Sequence, residues 1–169
     1  MGVTSPLRAP IPLAPEHLTE GFACGDDLMD TWLKRRALAN QLSGASRTYV
    51  VLDHDNHVAA YDSLATGAVV AASTTGRNRC NMPDPVPVAV LARLAADTRH
   101  QGRGLGPSLV GDALRRVLAA AEILGIRGVV VHALSPDLRA FYTGLGFSPS
   151  PLDDLLLMVT LPDVRAALA

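Results

Sequence analysis

The apolar positions of this chain fall into segments of two periods. Leu28, Trp32, Leu33 and Ala37 recur at helical intervals, which predicts a helix starting near Gly25-Asp26 and ending by Gly44. Its other side carries Lys34, Arg35 and Asn40. Residues 47–52 then read as a strand and residues 53–56 as a hairpin turn. Residues 57–70 are strand-like again, either one long strand or two divided at Gly67, a bulge or turn position. Pro83, Pro85 and Pro87 exclude a central strand from residues 71–87, which read as a surface loop. Residues 88–96 are apolar almost without a break, the pattern of a strand covered on both faces. Arg93 interrupts that run, and a buried arginine needs a partner.

A second helix is predicted from Pro107 to about residue 124. Val110, Leu114, Val117, Leu118 and Ala121 form one face, and Asp112, Arg115, Arg116 and Glu122 the other. Gly125 is placed as its C-cap. The β-branched residues 128–134 make a strand, so strand, helix and strand form a parallel crossover. Ser135 caps the next helix, with Pro136 at its first position. Leu138, Phe141, Tyr142 and Leu145 share its core face, and Gly146 ends it. A strand over residues 155–160 and a short helix from Asp163 close the chain. Residues 1–15 are proline-rich and read as extended. The expected architecture is α/β, a single domain over residues 1–169 built on a mixed sheet with one parallel crossover.

A length of 169 residues, with 49% hydrophobic and 18% charged, suits one globular domain with a sizeable core. No apolar run is long enough to span a bilayer and no signal-peptide pattern opens the chain, so a cytoplasmic protein without membrane contact is expected. Cys24 and Cys80 lack metal-ligand spacing; reduced thiols and no metal are expected. The net charge of −1 does not mark a nucleic-acid binder, but the cations are clustered. Lys34, Arg35, Arg36 and Arg47 lie in a stretch with no acidic residue, and Arg77 and Arg79 form a second basic spot. Arg93, Arg99 and Arg103 lead into a glycine-rich stretch. Clustered arginines bind phosphate even in a near-neutral protein; a merely solvated face has the same composition.

That stretch, residues 94–107, joins the long apolar strand to the second helix through Gly102, Gly104 and Gly106. Backbone N–H groups in such a turn, followed by a helix N-terminus, make an anion site. It lacks the Gly-Lys-Ser/Thr of a P-loop, and Pro107 occupies the third position of a G-x-G-x-x-G fingerprint. Gln101-x-x-Gly104-x-Gly106 instead resembles the Q/R-x-x-G-x-G/A pyrophosphate loop of the GNAT acetyltransferases. Further segments resemble one branch of that family, the toxins of type II toxin–antitoxin modules. They are Phe22-x-Cys24-Gly25-x-x-Leu28-x-x-x-Trp32-Leu33, Tyr61-x-Ser63-Leu64-Ala65-x-Gly67, Asn81-Met82-Pro83-Asp84-Pro85 and Phe141-Tyr142-x-x-Leu145-Gly146-Phe147. The order of predicted elements is also that of the GNAT fold.

The resemblance implies a central mixed sheet with flanking helices, in which the strand before the glycine loop splays from its parallel neighbour. It implies acetyl-CoA as co-substrate, its pantetheine arm along Leu94, Ala95 and Ala96. A backbone N–H there would hold the thioester oxygen as the tetrahedral intermediate forms. Gln101, Gly102, Arg103, Gly104, Leu105 and Gly106 would hold the pyrophosphate, with Arg99 or Arg103 on the 3′-phosphate. Tyr142 matches the tyrosine that protonates the leaving thiolate, although its place on a core face equally suits packing. Members acetylate the α-amino group of aminoacyl-tRNA and so stop translation. For tRNA the candidates are Lys34, Arg35, Arg36, Arg47, Arg77, Arg79 and Arg93. A ribbon-helix-helix antitoxin and dimerisation are also implied. No general base is assigned: Asp97 reads as a turn or cap residue and His100 as a surface residue. Cys24 has no evident base partner and is not assigned as a nucleophile. Two other functions fit a GNAT chain: acetylation of a protein N-terminus or small amine, and a module that binds CoA or a partner without transfer.

Overall fold

In the computed structural model, which describes residues 6–169, seven strands form one mixed sheet. They are β1 (Ile11–Pro12), β2 (Arg47–Leu52), β3 (Val58–Val69), β4 (Val86–Ala96), β5 (Gly128–His132), β6 (Ser148–Pro149) and β7 (Leu156–Thr160), in the order β1-β2-β3-β4-β5-β7-β6. The β4–β5 pair is parallel, and β2–β3, β5–β7 and β6–β7 are antiparallel. Six α-helices accompany them: α1 (Asp27–Trp32), α2 (Leu38–Ser43), α3 (Gly76–Arg79), α4 (Leu105–Ala120), α5 (Pro136–Gly144) and α6 (Leu161–Leu168). No helix among the described residues is long and apolar enough to cross a membrane. The chain divides into two compact units, residues 1–64 with 93–112, and residues 65–92 with 113–169.

In the first unit the sheet is covered on both faces. Val50, Leu52, Val58 and Tyr61 pack with Phe22, Met29, Leu33 and Ala37 in one cluster. Val51, Ala59, Ala60 and Leu109 form another, joined by Leu94, Ala96 and Leu105. Adjacent residues Ala59 and Ala60 share that cluster because the β2–β3 register slips there: Val51 faces Ala60, but Leu52 faces Val58. Ala59 is the extra residue of a β-bulge, left outside the ladder.

The expected first helix is real but interrupted. Asp26 caps it, accepting from the N–H groups of Leu28 and Met29, and Gly44 ends it in the left-handed region (φ 83°). Between α1 and α2, residues Leu33–Ala37 form a π-helical turn, which rotates the stripe by an extra residue. Leu28 is 78% exposed, and Met29, Leu33 and Ala37, four residues apart, form the buried face.

The second unit packs Val86, Val88, Val130, Leu156 and Met158 together, with Val69, Met82 and Val90 against them. Residues 57–70 prove to hold a single strand. Gly67 is no turn; it makes room, since a Cβ there would lie 2.9 Å from Val90 Cγ2. The expected surface loop over residues 71–87 is instead partly helical: a 3-10 turn (Ala71–Ser73), then α3 capped by Thr75. β4 starts at Val86, so Pro87 lies within it, its carbonyl accepting from the Arg127 N–H at 2.8 Å. Gly125 is not the cap of α4, which ends at Ala120. Ser135 and Thr160 cap α5 and α6 through their hydroxyls. The short strands β1 and β6 have no counterpart in the sequence pattern, being too brief to show a period. Of residues 1–15, expected to be extended, the first five lie outside the described residues.

Gly128 is the tightest point of this unit. A Cβ there would overlap the Val159 carbonyl and Asn78 Oδ1. Gly128→Ala should therefore lower stability by about 1–3 kcal/mol, because the backbone of β7 cannot move aside cheaply. Urea denaturation checks this; an unchanged midpoint would contradict the packing.

Candidate active site

The bulge at Ala59 starts the site. The Ala59 carbonyl accepts the N–H of Asp97 at 2.8 Å, directly after β4. The buried Asp97 carboxylate then gathers four donors: Ala23 N–H (3.1 Å), Arg99 N–H (2.9 Å), Arg99 Nε (2.9 Å) and Arg99 Nη2 (3.1 Å). The Asp97 carbonyl accepts from His100, and Thr98 donates to the Ala23 carbonyl. Burial pushes the Asp97 carboxyl up. The Arg99 side chain, the two backbone N–H groups and the Arg99 charge outweigh that and hold it below the usual carboxylate range. Gln101 Nε2 donates to the carbonyls of Cys24 (3.0 Å) and Ala96 (2.9 Å). The loop is thus pinned on both sides before the glycines begin. The cap role expected for Asp97 is present, and its tie to residue 23 is what the sequence could not show.

Gly102 (φ 78°) and Gly104 (φ 76°) take the left-handed conformation that glycine tolerates. Open space surrounds both. Among the described residues, none accepts from the N–H groups of Gly102, Arg103 or Gly104. Those of Leu105 and Gly106 open α4 and have no acceptor within the helix. A row of unengaged N–H donors at a helix start fits a pyrophosphate. Gln101, in contrast, spends its side chain on holding the loop. Arg99 is committed to Asp97, and Arg103 Nη1 lies 2.8 Å from His100 Nδ1.

Along β4, Leu94 and Ala96 pack on the cluster of Val51 and Leu109, and Ala95 on the opposite cluster. The parallel β4–β5 register covers Val88, Val90 and the residue between them against Gly128–Val130. Beyond it, β4 runs on to Ala96 and β5 to His132, with no further β4–β5 pair among the described residues.

Tyr142 is 5% exposed and lies edge-on to Phe141 (4.9 Å) and Phe147 (5.6 Å). Burial pushes its hydroxyl up to about 12, so it keeps its proton at neutral pH. The expected core stripe is incomplete, because Leu138, one turn earlier, is 41% exposed.

The basic candidates are treated differently from one another. Arg93 lies over the Trp32 ring at 5.0 Å, its Nη1 3.7 Å from Met29 Sδ. Trp32 stacks on Tyr61, and Phe22 meets Tyr61 edge-on. Arg93 is half-buried, and the partner it finds is an aromatic face. Lys34, Arg35 and Arg36 all stand on the π turn that follows Trp32. Arg47 donates to the Gln41 carbonyl (2.7 Å). Arg77 and Arg79 share α3, where Arg77 is held by Asp163. The Cys24 thiol donates to the Asp26 carbonyl (3.6 Å), and burial, then the adjacent Asp30 carboxylate, push it up to about 11, which disfavours the thiolate.

Residues 18–147 match the acetyltransferase (GNAT) family. The chain belongs to that family. It is an acetyltransferase, and acetyltransferases of this family use acetyl-CoA as donor. It is 44% identical over 158 residues to a tRNA-acetylating toxin of Mycobacterium tuberculosis, covering 90% of this chain and 95% of that protein. Among solved structures, a tyrosine-to-phenylalanine variant of KacT is 26% identical with a TM-score of 0.87, covering 95% and 98% of the two chains. AtaT complexed with acetyl-methionyl-tRNAfMet shares the fold with a TM-score of 0.89 at 23% identity, over 97% and 100%.

Asp97 gives this acetyltransferase a testable acid limb. Because its folded pKa is depressed, its stabilisation is complete above about pH 5 and is lost as pH falls through the folded value. Asp97→Ala should cost about 3 kcal/mol at pH 7, leaving buried donors unpaired, and flatten this part of the pH–stability curve. Thermal melts from pH 3 to 8 check both; a variant with an unchanged acid limb would refute the assignment.

Proposed function

We propose that the chain transfers the acetyl group of acetyl-CoA to the α-amino group of aminoacyl-tRNA and thereby stops translation. The observation that carries this reading is the 44% identity, over nine-tenths of the chain, to a tRNA-acetylating toxin. The match over residues 18–147 takes in parts of both compact units, which supports one acetyltransferase domain over residues 1–169. Charged tRNA places its work in the cytoplasm. A toxin also needs a restraining partner, and a ribbon-helix-helix antitoxin is the class expected.

In this reading the N–H groups from Gln101 to Gly106 bind the pyrophosphate, with Gln101 itself holding the loop in shape. The backbone of Leu94, Ala95 and Ala96 lines the pantetheine arm, and an N–H of that stretch takes the developing oxyanion. Acetyl-CoA supplies the acetyl group as an activated thioester. Tyr142 Oη, still protonated at neutral pH, gives its proton to the departing thiolate. The α-amine of an aminoacyl ester is partly neutral near pH 7, so water or a backbone carbonyl suffices to take its proton. Lys34, Arg35, Arg36, Arg47, Arg77, Arg79 and Arg93 meet the tRNA backbone, and Arg103 the 3′-phosphate of CoA, Arg99 being held by Asp97.

Tyr142→Phe should keep acetyl-CoA binding and stability while slowing single-turnover transfer about 10²-fold or more. Transfer as fast as wild type would leave Tyr142 a packing residue. Gly104→Asp sets a side chain and a negative charge at a left-handed position beside the donors. It should abolish acetyl-CoA binding in calorimetry. Mass spectrometry of aminoacyl-adenosine released from a complete charged-tRNA pool decides the substrate. Acetyl groups on a peptide or small amine, with none on any aminoacyl-adenosine, would overturn the tRNA reading and leave the acetyltransferase.

A further inference from the structure

Arg77 and Arg79 stand on the same short helix, yet only one of them is free to meet a phosphate. Arg79 is exposed and has no acceptor among the described residues. Arg77 Nε donates to Asp163 Oδ2 at 2.8 Å, and its Nη2 donates to Asp163 Oδ1. This is the two-pronged geometry by which a guanidinium grips two oxygens of a phosphate. We propose that Asp163 is a built-in competitor for tRNA phosphate at Arg77, an acidic residue of the protein that sets how tightly tRNA is held. The inference rests on the tRNA reading above.

Both partners are positioned by other contacts, so the pair is formed before any ligand arrives. Asp163 sits in the first turn of α6, where its own N–H is taken by the capping Thr160 hydroxyl (3.2 Å) and the helix N-terminus favours a carboxylate. On the other side, Arg127 Nη2 donates to the Arg77 carbonyl, fixing the main chain of α3. The side chains are 70% and 42% exposed. A phosphate can therefore reach Arg77 by exchanging one anion for another, with no element unfolding. Surface pairs of this kind add little to stability, so a structural role alone gives weak grounds for such a fork. The Arg77 hydrogen bond also holds the Asp163 carboxyl below its ordinary range, which keeps the competitor charged at neutral pH.

The test compares wild type, Asp163→Asn, Arg77→Ala and the double variant for binding of deacylated tRNA across a salt series. Acetylation of charged tRNA by wild type is run alongside. Asp163→Asn should bind about three-fold tighter at low salt, the scale of a surface ion pair released, and steepen log K against log salt by about 0.7–0.9 for one added phosphate contact. In the Arg77→Ala background the same change should add nothing to the slope. An unchanged affinity, or an equal gain with and without Arg77, overturns the proposal, the latter making Asp163 a general negative charge. Should Asp163→Asn melt early, Asp163→Ser, which suits a first helical turn, takes its place. If wild type acetylates charged tRNA while Asp163→Asn binds as wild type does, only this inference falls. If wild type neither binds nor acetylates tRNA, the functional reading falls with it.

Discussion

The site depends on one buried carboxylate. Asp97 ends the long apolar strand and accepts from the main chain of residues 23 and 99 and from the Arg99 guanidinium. A buried carboxylate without donors would be costly; with four it becomes a rigid joint. The Asp97 N–H donates to the Ala59 carbonyl of β3, which ties the end of β4 to its neighbour. The glycine loop therefore begins from a fixed point. Its unengaged N–H groups keep their direction without help from the ligand, which is what preorganised anion binding requires.

Arginine contributes to this loop mainly through geometry. Arg99 is spent on Asp97, while Arg103 meets only the His100 ring and keeps its charge, so the positive character of residues 102–106 comes from backbone N–H groups, the start of α4 and the Arg103 guanidinium. The same holds elsewhere on the surface. Arg47 meets a carbonyl and Arg77 a carboxylate, and each has some of its hydrogen-bonding capacity used inside the protein. What matters for a polyanion is which cations can exchange partners, and Arg93, stacked on Trp32 with no carboxylate partner among the described residues, is differently placed from Arg77.

Much of this was written into local sequence. Asp26 and Gly44 bracket the first helical region, Ser135 and Pro136 start α5, and the β-branched run gives β5; each depends on a residue's own backbone preference or on a short period. The glycines before α4 marked the turn there for the same reason, since Gly102 and Gly104 take the left-handed conformation. The tertiary structure decided the rest. The choice of buried stripe is one case: Met29, Leu33 and Ala37 pack with Tyr61, while Leu28 is exposed, and spacing alone did not choose between these two helical stripes. Gly67 looked like a punctuation mark and is instead a place for Val90. The links of Asp97 to Ala23 and of Arg77 to Asp163 span 74 and 86 residues. Contacts at such separations leave no trace in spacing, because they are fixed by the fold and not by the chain between.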